Sequence, residues 1–280
     1  MDAADLDQLK AWIGRATQAE DDVTQRLVDG YRATFEPHLA PVGAEEAPLG
    51  CHWCLAPAIA PMAELGADGH PAKGLLLPPV KLPRRMWAGG EIETFAPLRI
   101  GDRVVRKTTI ADIALKRGRS GPLCFVTIDN ELSTARGIVI RERQDIVYRE
   151  AASPDARPAP AAPQPPERRA THSWTVDPTP VMLFRYSALT FNGHRIHYDH
   201  PYATGVEGYS GLVVHGPLQA TLLFNLAAVI GGRVPARFSY RALAPLTGNQ
   251  TFNVRGRGSD GKIECWTAAA GQAHMQAEAR

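Results

Sequence analysis

The sequence predicts an α+β protein built from two similar units, and three observations support this prediction. A proline- and alanine-rich segment at residues 151–170 contains six of the 23 prolines and almost nothing able to fill a core. Such a composition is typical of an exposed, semi-rigid linker. It leaves pieces of about 150 and about 110 residues, each of ordinary domain size. In both pieces a helix-forming segment precedes a run of strand-forming segments.

The first unit, residues 1–150, opens with apolar residues at helical spacing, such as Leu6 and Leu9. They predict one amphipathic helix over about residues 5–35. A Pro- and Gly-rich stretch follows to about residue 90. Segments rich in Val, Ile and Thr then predict four strands, at residues 91–98, 103–115, 123–132 and 138–147.

The second unit, residues 171–280, has a similar order of elements. After a short strand at 174–176, Leu218, Leu222 and Leu226 recur at helical spacing and predict a buried helix over 216–229. Further strands are predicted at residues 237–243, 250–257, 262–269 and 272–279. Because the two units show no visible sequence identity, the repetition is inferred from the order of elements.

Charge, hydropathy and cysteine content exclude several classes of protein. The 31 Lys and Arg residues nearly balance the 29 Asp and Glu residues, which gives no basic footprint for nucleic acid. No apolar run reaches the roughly 18 residues of a membrane-spanning helix. The first residues lack the apolar core of a signal peptide, and four cysteines are too few for a disulfide scaffold. We expect a cytoplasmic protein that binds neither nucleic acid nor membrane.

Histidines are concentrated in the second unit, where four of the nine lie within a short stretch: His194, His197, His200 and His215. Histidine readily moves protons near neutral pH. Such a cluster can be a metal site, a general base with helpers, or a set of residues with no role. Asp199 is a nearby carboxylate, but the cysteines are far away in sequence, so we expect no metal site.

The start of the predicted buried helix supplies a second chemical feature. The sequence His215-Gly216-Pro217 puts a proline just inside the helix start, which is a favoured position. The N–H of Gly216 would be unpaired and would lie at the positive end of the helix dipole. Such a donor is suited to holding an anionic oxygen. A base-bearing loop followed by this donor predicts a site for enolate chemistry.

Residues 184–220 resemble the active-site region of the MaoC-like hydratases. The resemblance is closer to the type 2 hydroxyacyl-thioester dehydratases and to the mesaconyl-C4-CoA and itaconyl-CoA hydratases. In the MaoC-like pattern an Asp precedes a His by five residues, and a His-Gly pair opens the central helix. Here Asn192 and His197 have that spacing, and His215-Gly216 is the pair. The resemblance implies a double hot-dog fold whose first unit lacks the catalytic motif.

This sequence departs from the common pattern at two positions, since Asn192 replaces the Asp and His194 replaces an Asn. An amide cannot take up a proton at neutral pH. The resemblance therefore implies that His197 is the base, that Asn192 positions the water, and that Gly216 holds the thioester oxygen. The expected reaction is hydration of an enoyl-CoA, or its reverse. No cofactor is expected, because CoA is part of the substrate and no nucleotide-binding loop occurs.

The sequence offers candidate ligands for a free carboxylate on the acyl group of the substrate. A dicarboxylyl-CoA such as itaconyl-CoA or mesaconyl-C4-CoA, hydrated to citramalyl-CoA, would need a cation for its free carboxylate. The run LPRRMWAGG, with Arg84 and Arg85, resembles that branch of the family. Further candidate substrate-binding residues lie beside the histidine motif: Arg185, Arg195 and His215.

Three alternatives remain open at this stage. The first is a 3-hydroxyacyl-thioester dehydratase or R-specific enoyl-CoA hydratase of fatty acid metabolism. The others are an acyl-CoA thioesterase and a non-catalytic acyl-CoA-binding protein. Because a double hot-dog chain is already a pseudo-dimer, either a monomer or a homodimer is expected.

Overall fold

The computed structural model describes residues 3–118, 121–150, 169–248, 250–259 and 261–280. These residues form four α-helices, α1 (Ala3–Lys10), α2 (Gln25–Phe35), α3 (Pro180–Leu189) and α4 (Gly216–Gly231). The strands of the first unit are β1 (Ala16–Asp22), β2 (Arg84–Thr94), β3 (Arg103–Gly118), β4 (Gly121–Thr134) and β5 (Gly137–Arg149). Those of the second unit are β6 (His172–Val176), β7 (Arg237–Ala242), β8 (Phe252–Ser259), β9 (Lys262–Ala269) and β10 (Gln272–Ala279).

The strands form one ten-stranded antiparallel sheet in the order β1-β3-β4-β5-β2-β7-β10-β9-β8-β6. The two units meet where β2 pairs with β7, at contacts such as Gly90 opposite Tyr240. Outward from this junction the strands follow the order β2-β5-β4-β3-β1 in the first unit and β7-β10-β9-β8-β6 in the second. Since these are the same positions along each unit, the units are related by a pseudo-two-fold axis. The predicted α+β class is confirmed, and the order of the strands repeats between the units.

Helix α4 forms the centre of the second unit and confirms the predicted buried helix. It packs against β8, β9 and β10. Leu218, Leu222 and Leu226 are fully buried, and Gly232 ends the helix in the left-handed conformation that favours glycine. In the first unit, the described chain between α2 and β2 forms only short 3₁₀ turns, at Cys51–Cys54 and Met62–Glu64. The described residues 36–83 of the first unit therefore contain no counterpart of α4.

Two predictions about the first unit are wrong in detail. The single helix over residues 5–35 is instead α1, then strand β1, then α2. Strand β1 is an almost wholly exposed edge strand of sequence ATQAEDD, so it lacks the apolar alternation that reveals a strand. Strand β2 begins at Arg84 rather than at residue 91.

The proposed linker at 151–170 falls largely on residues 151–168, which lie outside the described part of the chain. The domain boundaries at residues 150 and 171 therefore remain predictions.

Candidate active site

A cavity of about 430 Å³ lies where the two units meet. The first unit contributes the loop around His70 and the strand segment from Arg85 to Ala88. The second unit contributes the loop of residues 190–201, which we call the histidine loop and which carries Asn192 and His197, together with the start of α4. The cavity therefore gathers residues from both halves of the chain.

His197 ends a 3₁₀ turn in this wall and is almost fully buried. Its Nδ1 lies 2.7 Å from the carbonyl oxygen of Val213. Since a carbonyl can only accept, Nδ1 carries the proton and Nε2 is the acceptor. Burial lowers the pKa of His197 to about 3, so the imidazole is neutral at neutral pH. A neutral ring with a fixed tautomer is equipped to act as a general base.

His215 lies behind His197 and outside the cavity wall. The two rings stack with centroids 3.6 Å apart, and the Nε2 of His215 lies 2.8 Å from the hydroxyl oxygen of Ser187. Burial lowers the pKa of His215 well below its ordinary value, so this ring is also neutral. Its position does not support the predicted contact with substrate, and we assign it to holding the His197 ring.

Asn192 lies in the cavity wall after a turn at Phe191, which has a positive φ of 51°. The backbone N–H of Asn192 donates to the carbonyl of Ser187 at 2.8 Å. Its side-chain oxygen accepts the backbone N–H of His194 at 3.0 Å. This contact fixes the orientation of the amide and leaves its NH₂ group as the donor available for other partners.

Gly216 is the first residue of α4 and also lines the cavity. Its N–H belongs to the first helical turn, where backbone donors lack intrahelical acceptors. A Cβ at this position would lie 2.6 Å from Cε3 of Trp87, so the site has no room for a side chain. Trp87 stacks on Tyr240 with centroids 4.4 Å apart. An indole from the first unit therefore covers the helix start.

Arg85 is the one Arg or Lys among the described residues that line the cavity, and this lining contains no Asp or Glu. Burial lowers the pKa of His70 to about 4; the Asp68 carboxylate opposes this shift, and the positive charge of Arg85 adds to it. Burial raises the pKa of Tyr148, and the charge of Arg85 opposes that shift. The cavity wall therefore carries one fixed cation beside its histidines.

The other three predicted arginines lie outside the cavity wall. Arg84 forms an ion pair with Glu207, with Nε 3.2 Å from Oε2. Arg195 pairs with Asp199 at 2.7 Å, and Arg185 lies on the exposed side of α3. These placements do not support them as substrate ligands.

Sequence reasoning missed Asp68 and His70, which the first unit brings to the histidine loop. The Nδ1 of His70 lies 3.0 Å from the Asp68 carboxylate, and the ring centroid of His70 lies 4.1 Å from that of His194. The ligand-type atoms of Asp68, His70 and His194 lie within 4.8 Å of one another. The absence of a metal site remains a prediction.

Comparison with known proteins shows the family. The model of hydroxyacyl-thioester dehydratase type 2 matches residues 50–248. The chain belongs to the hydroxyacyl-thioester dehydratase type 2 family. It is 45% identical to mesaconyl-C(4)-CoA hydratase of Chloroflexus aurantiacus, over 91% of this chain and 90% of that protein. Its relatives are named as hydratases and dehydratases, and the chain is an enzyme of this class.

Solved structures confirm the double hot-dog fold. HtdX from Mycobacterium tuberculosis superposes with a TM-score of 0.68 at 20% identity, covering 95% of this chain and 98% of HtdX. A second Mycobacterium tuberculosis protein, described as a double hot-dog fold, gives a TM-score of 0.57 at 11% identity, with 95% of each chain covered. Separately, no helix within the described ranges is long and apolar enough to cross a membrane.

Acid is expected to destabilise this enzyme through its buried histidines. Burial lowers the pKa of His52 and of His197 to about 3, whereas an unfolded chain has histidine pKa values of about 6.5. Below that value the unfolded chain binds protons that the folded chain does not. The free energy of unfolding therefore has its full value above about pH 6.5 and decreases as the pH falls toward 3.

Melting temperatures measured from about pH 7.5 down to about pH 4.5 will check this dependence. The variant His52→Met removes a buried histidine outside the cavity wall, so its melting temperature should depend less steeply on pH. A melting temperature that stays constant across the range would contradict the prediction.

Proposed function

We propose that this enzyme adds water to a short enoyl-CoA with a free carboxylate on its β-carbon, taking mesaconyl-C4-CoA to citramalyl-CoA. The observation that carries the proposal is Arg85, the one Lys or Arg among the described residues lining a cavity that His197, Asn192 and Gly216 also line. The relative from Chloroflexus aurantiacus, named for mesaconyl-C(4)-CoA, supports the same substrate.

In the proposed reaction the N–H of Gly216 binds the thioester oxygen and stabilises the enolate. The Nε2 of His197 takes a proton from water while the water oxygen attacks the β-carbon. The NH₂ group of Asn192 orients that water, since its side-chain oxygen is already engaged by the N–H of His194. Protonation of the α-carbon completes the addition.

The free carboxylate is attached to the same β-carbon that receives water, so its ligand must lie near His197. Arg85 is the candidate for this ligand because it lines the same cavity as His197 and its charge acts on the neighbouring His70 and His194. A guanidinium offers planar, paired donors that match a carboxylate. Itaconyl-CoA carries a comparable free carboxylate and is the alternative dicarboxylyl substrate.

A second candidate is the dehydration of unsubstituted 3-hydroxyacyl thioesters. The apolar part of the wall favours it, because Leu76, Leu77, Met86 and Ile146 could bury a plain acyl chain. Loss or gain of the enoyl-thioester absorbance with mesaconyl-C4-CoA and crotonyl-CoA, and formation of citramalyl-CoA from itaconyl-CoA followed by mass spectrometry, separate the candidates. A higher kcat/KM for crotonyl-CoA would overturn the dicarboxylyl proposal.

The variant Arg85→Met is expected to lower kcat/KM for mesaconyl-C4-CoA by roughly 10- to 150-fold. This range corresponds to about 1.5–3 kcal/mol for hydrogen bonds to a charged group. The kcat/KM for crotonyl-CoA should change little, since crotonyl-CoA has no free carboxylate.

Arg185→Met removes an arginine of the exposed helix face and is the matched control, with both values expected unchanged. An equal loss on both substrates in Arg85→Met would show that Arg85 supports the cavity rather than the carboxylate.

A further inference from the structure

A tight turn at residues 66–70 of the first unit presents His70 to the cavity. The N–H of Gly66 donates to the carbonyl of His70 at 2.7 Å, and the N–H of Gly69 donates to the carbonyl of Gly66 at 2.9 Å. Both oxygens of the Asp68 carboxylate bind His70: Oδ1 accepts its backbone N–H at 3.1 Å, and Oδ2 lies 3.0 Å from Nδ1. The ring is therefore held with Nδ1 on the carboxylate and Nε2 remaining as the acceptor.

This turn is hydrogen-bonded directly to the histidine loop of the second unit. The backbone N–H of Arg195 donates to the carbonyl of Asp68 at 2.9 Å. A Cβ on Gly193 would lie 2.7 Å from the carbonyl oxygen of Gly69, so the two backbones touch where both residues are glycine. Asp68 thus lies behind the cavity wall and holds His70, which lines the cavity, against the second unit.

The Asp68 carboxylate distinguishes His70 from the other histidines of the cavity. His197 and His274 contact backbone carbonyls through Nδ1, whereas His70 contacts a carboxylate. A carboxylate partner stabilises the imidazolium form far better than a neutral carbonyl does. The ring centroid of His194 lies 4.1 Å from His70 and 5.4 Å from His197, so it neighbours both.

The proposed hydration leaves one task without a residue, because a proton must be delivered to the α-carbon. The described cavity lining has no carboxylate, and Asn192 cannot carry a proton. His70 lies in the same wall as His197 and has a partner for the charge that it would gain.

We propose that His70 is a second catalytic residue that exchanges the α-proton of the substrate, with Asp68 as its positioning residue. This proposal rests on the proposed function. In the dehydration direction, Nε2 of His70 takes a hydrogen from the α-carbon, and the C–H electron pair moves into the enolate held by Gly216. The proton then passes from His70 to Nε2 of His197, past the ring of His194, which neighbours both. The β-carbon–oxygen bond breaks and the hydroxyl leaves as water with that proton, so both histidines start and end neutral. Hydration is the reverse.

Two isotope exchanges, followed by mass spectrometry on citramalyl-CoA, test whether His70 acts at the α-carbon and His197 at the β-hydroxyl. Incubation in D₂O measures exchange of the α-hydrogen, and incubation in H₂¹⁸O measures exchange of the β-hydroxyl. His197→Gln should retain deuterium exchange but lose ¹⁸O exchange by about 100-fold or more, because the enolate still forms. His70→Gln should lose both exchanges to a similar extent, because no α-proton is removed.

The opposite pattern overturns the proposal: both exchanges lost in His197→Gln, or deuterium exchange kept in His70→Gln. Wild-type enzyme that incorporates neither label overturns the proposed hydration itself, which distinguishes the two failures. His200→Gln removes an exposed histidine of the same loop and should retain both exchanges. Melting temperatures identify any variant that does not fold.

The variant Asp68→Asn tests the positioning role of Asp68, because it leaves the His70 ring in place. We expect kcat to fall by roughly 10- to 100-fold, the range for removing a carboxylate that orients a metal-bound histidine. KM should stay unchanged, since Asp68 contacts His70 and not the substrate. A raised KM with unchanged kcat would overturn the positioning role.

Discussion

Replacing His197 with glutamine is expected to slow hydration by about 100- to 10,000-fold, the range for loss of a general acid–base group. The structure leaves this ring one free acceptor, Nε2, because Nδ1 is bound to the carbonyl of Val213. Its neighbour Asn192 cannot take over, since an amide does not accept a proton at neutral pH. The loss should therefore appear in kcat, with KM for the enoyl-CoA changing much less.

The matched control for this experiment is His200→Gln, an exposed position three residues further along the same loop. It should leave kcat unchanged. Far-ultraviolet circular dichroism and the melting temperature establish that His197→Gln is folded. A folded variant with kcat within a few-fold of wild type would refute the assignment of His197 as the base.

The histidine loop and helix α4 were predictable because their information is local. The five-residue spacing from Asn192 to His197 and the pair His215-Gly216 lie within one continuous segment. The leucines of α4 recur at helical spacing, and they are all buried in the structure. Sequence therefore identified the residues of the motif together with the element that carries Gly216.

The contributions of the first unit were not predictable, since they depend on contacts between residues far apart in sequence. Asp68 and His70 lie in a Pro- and Gly-rich stretch whose pattern indicates only a loop. Four arginines were equally plausible ligands, and only the pairing of β2 in the sheet directs Arg85 to the cavity while Arg84 meets Glu207. His215 has the right motif position but packs behind His197.

The described part of the first unit, which has no counterpart of α4, contains a buried polar cluster around Glu142. This carboxylate accepts the indole N–H of Trp53 at 2.6 Å and the hydroxyl of Tyr240 at 3.3 Å. A guanidinium nitrogen of Arg106 lies 3.5 Å away. Burial raises the pKa of Glu142, and the positive charge of Arg106 opposes that shift. The interior of this unit thus contains a charge pair as well as apolar side chains.

Glu142→Ala is expected to lower the free energy of unfolding by about 3–5 kcal/mol, because it leaves the charge of Arg106 buried without its partner. Urea unfolding of the purified enzyme measures the change. Glu131→Ala removes a carboxylate from an exposed pair with Arg141, and this control should cost about 0–1 kcal/mol. The double variant Glu142→Leu with Arg106→Met should recover much of the loss, since apolar residues often replace a buried pair without penalty. Equal effects of Glu142→Ala and Glu131→Ala would show that the buried pair does not stabilise the first unit.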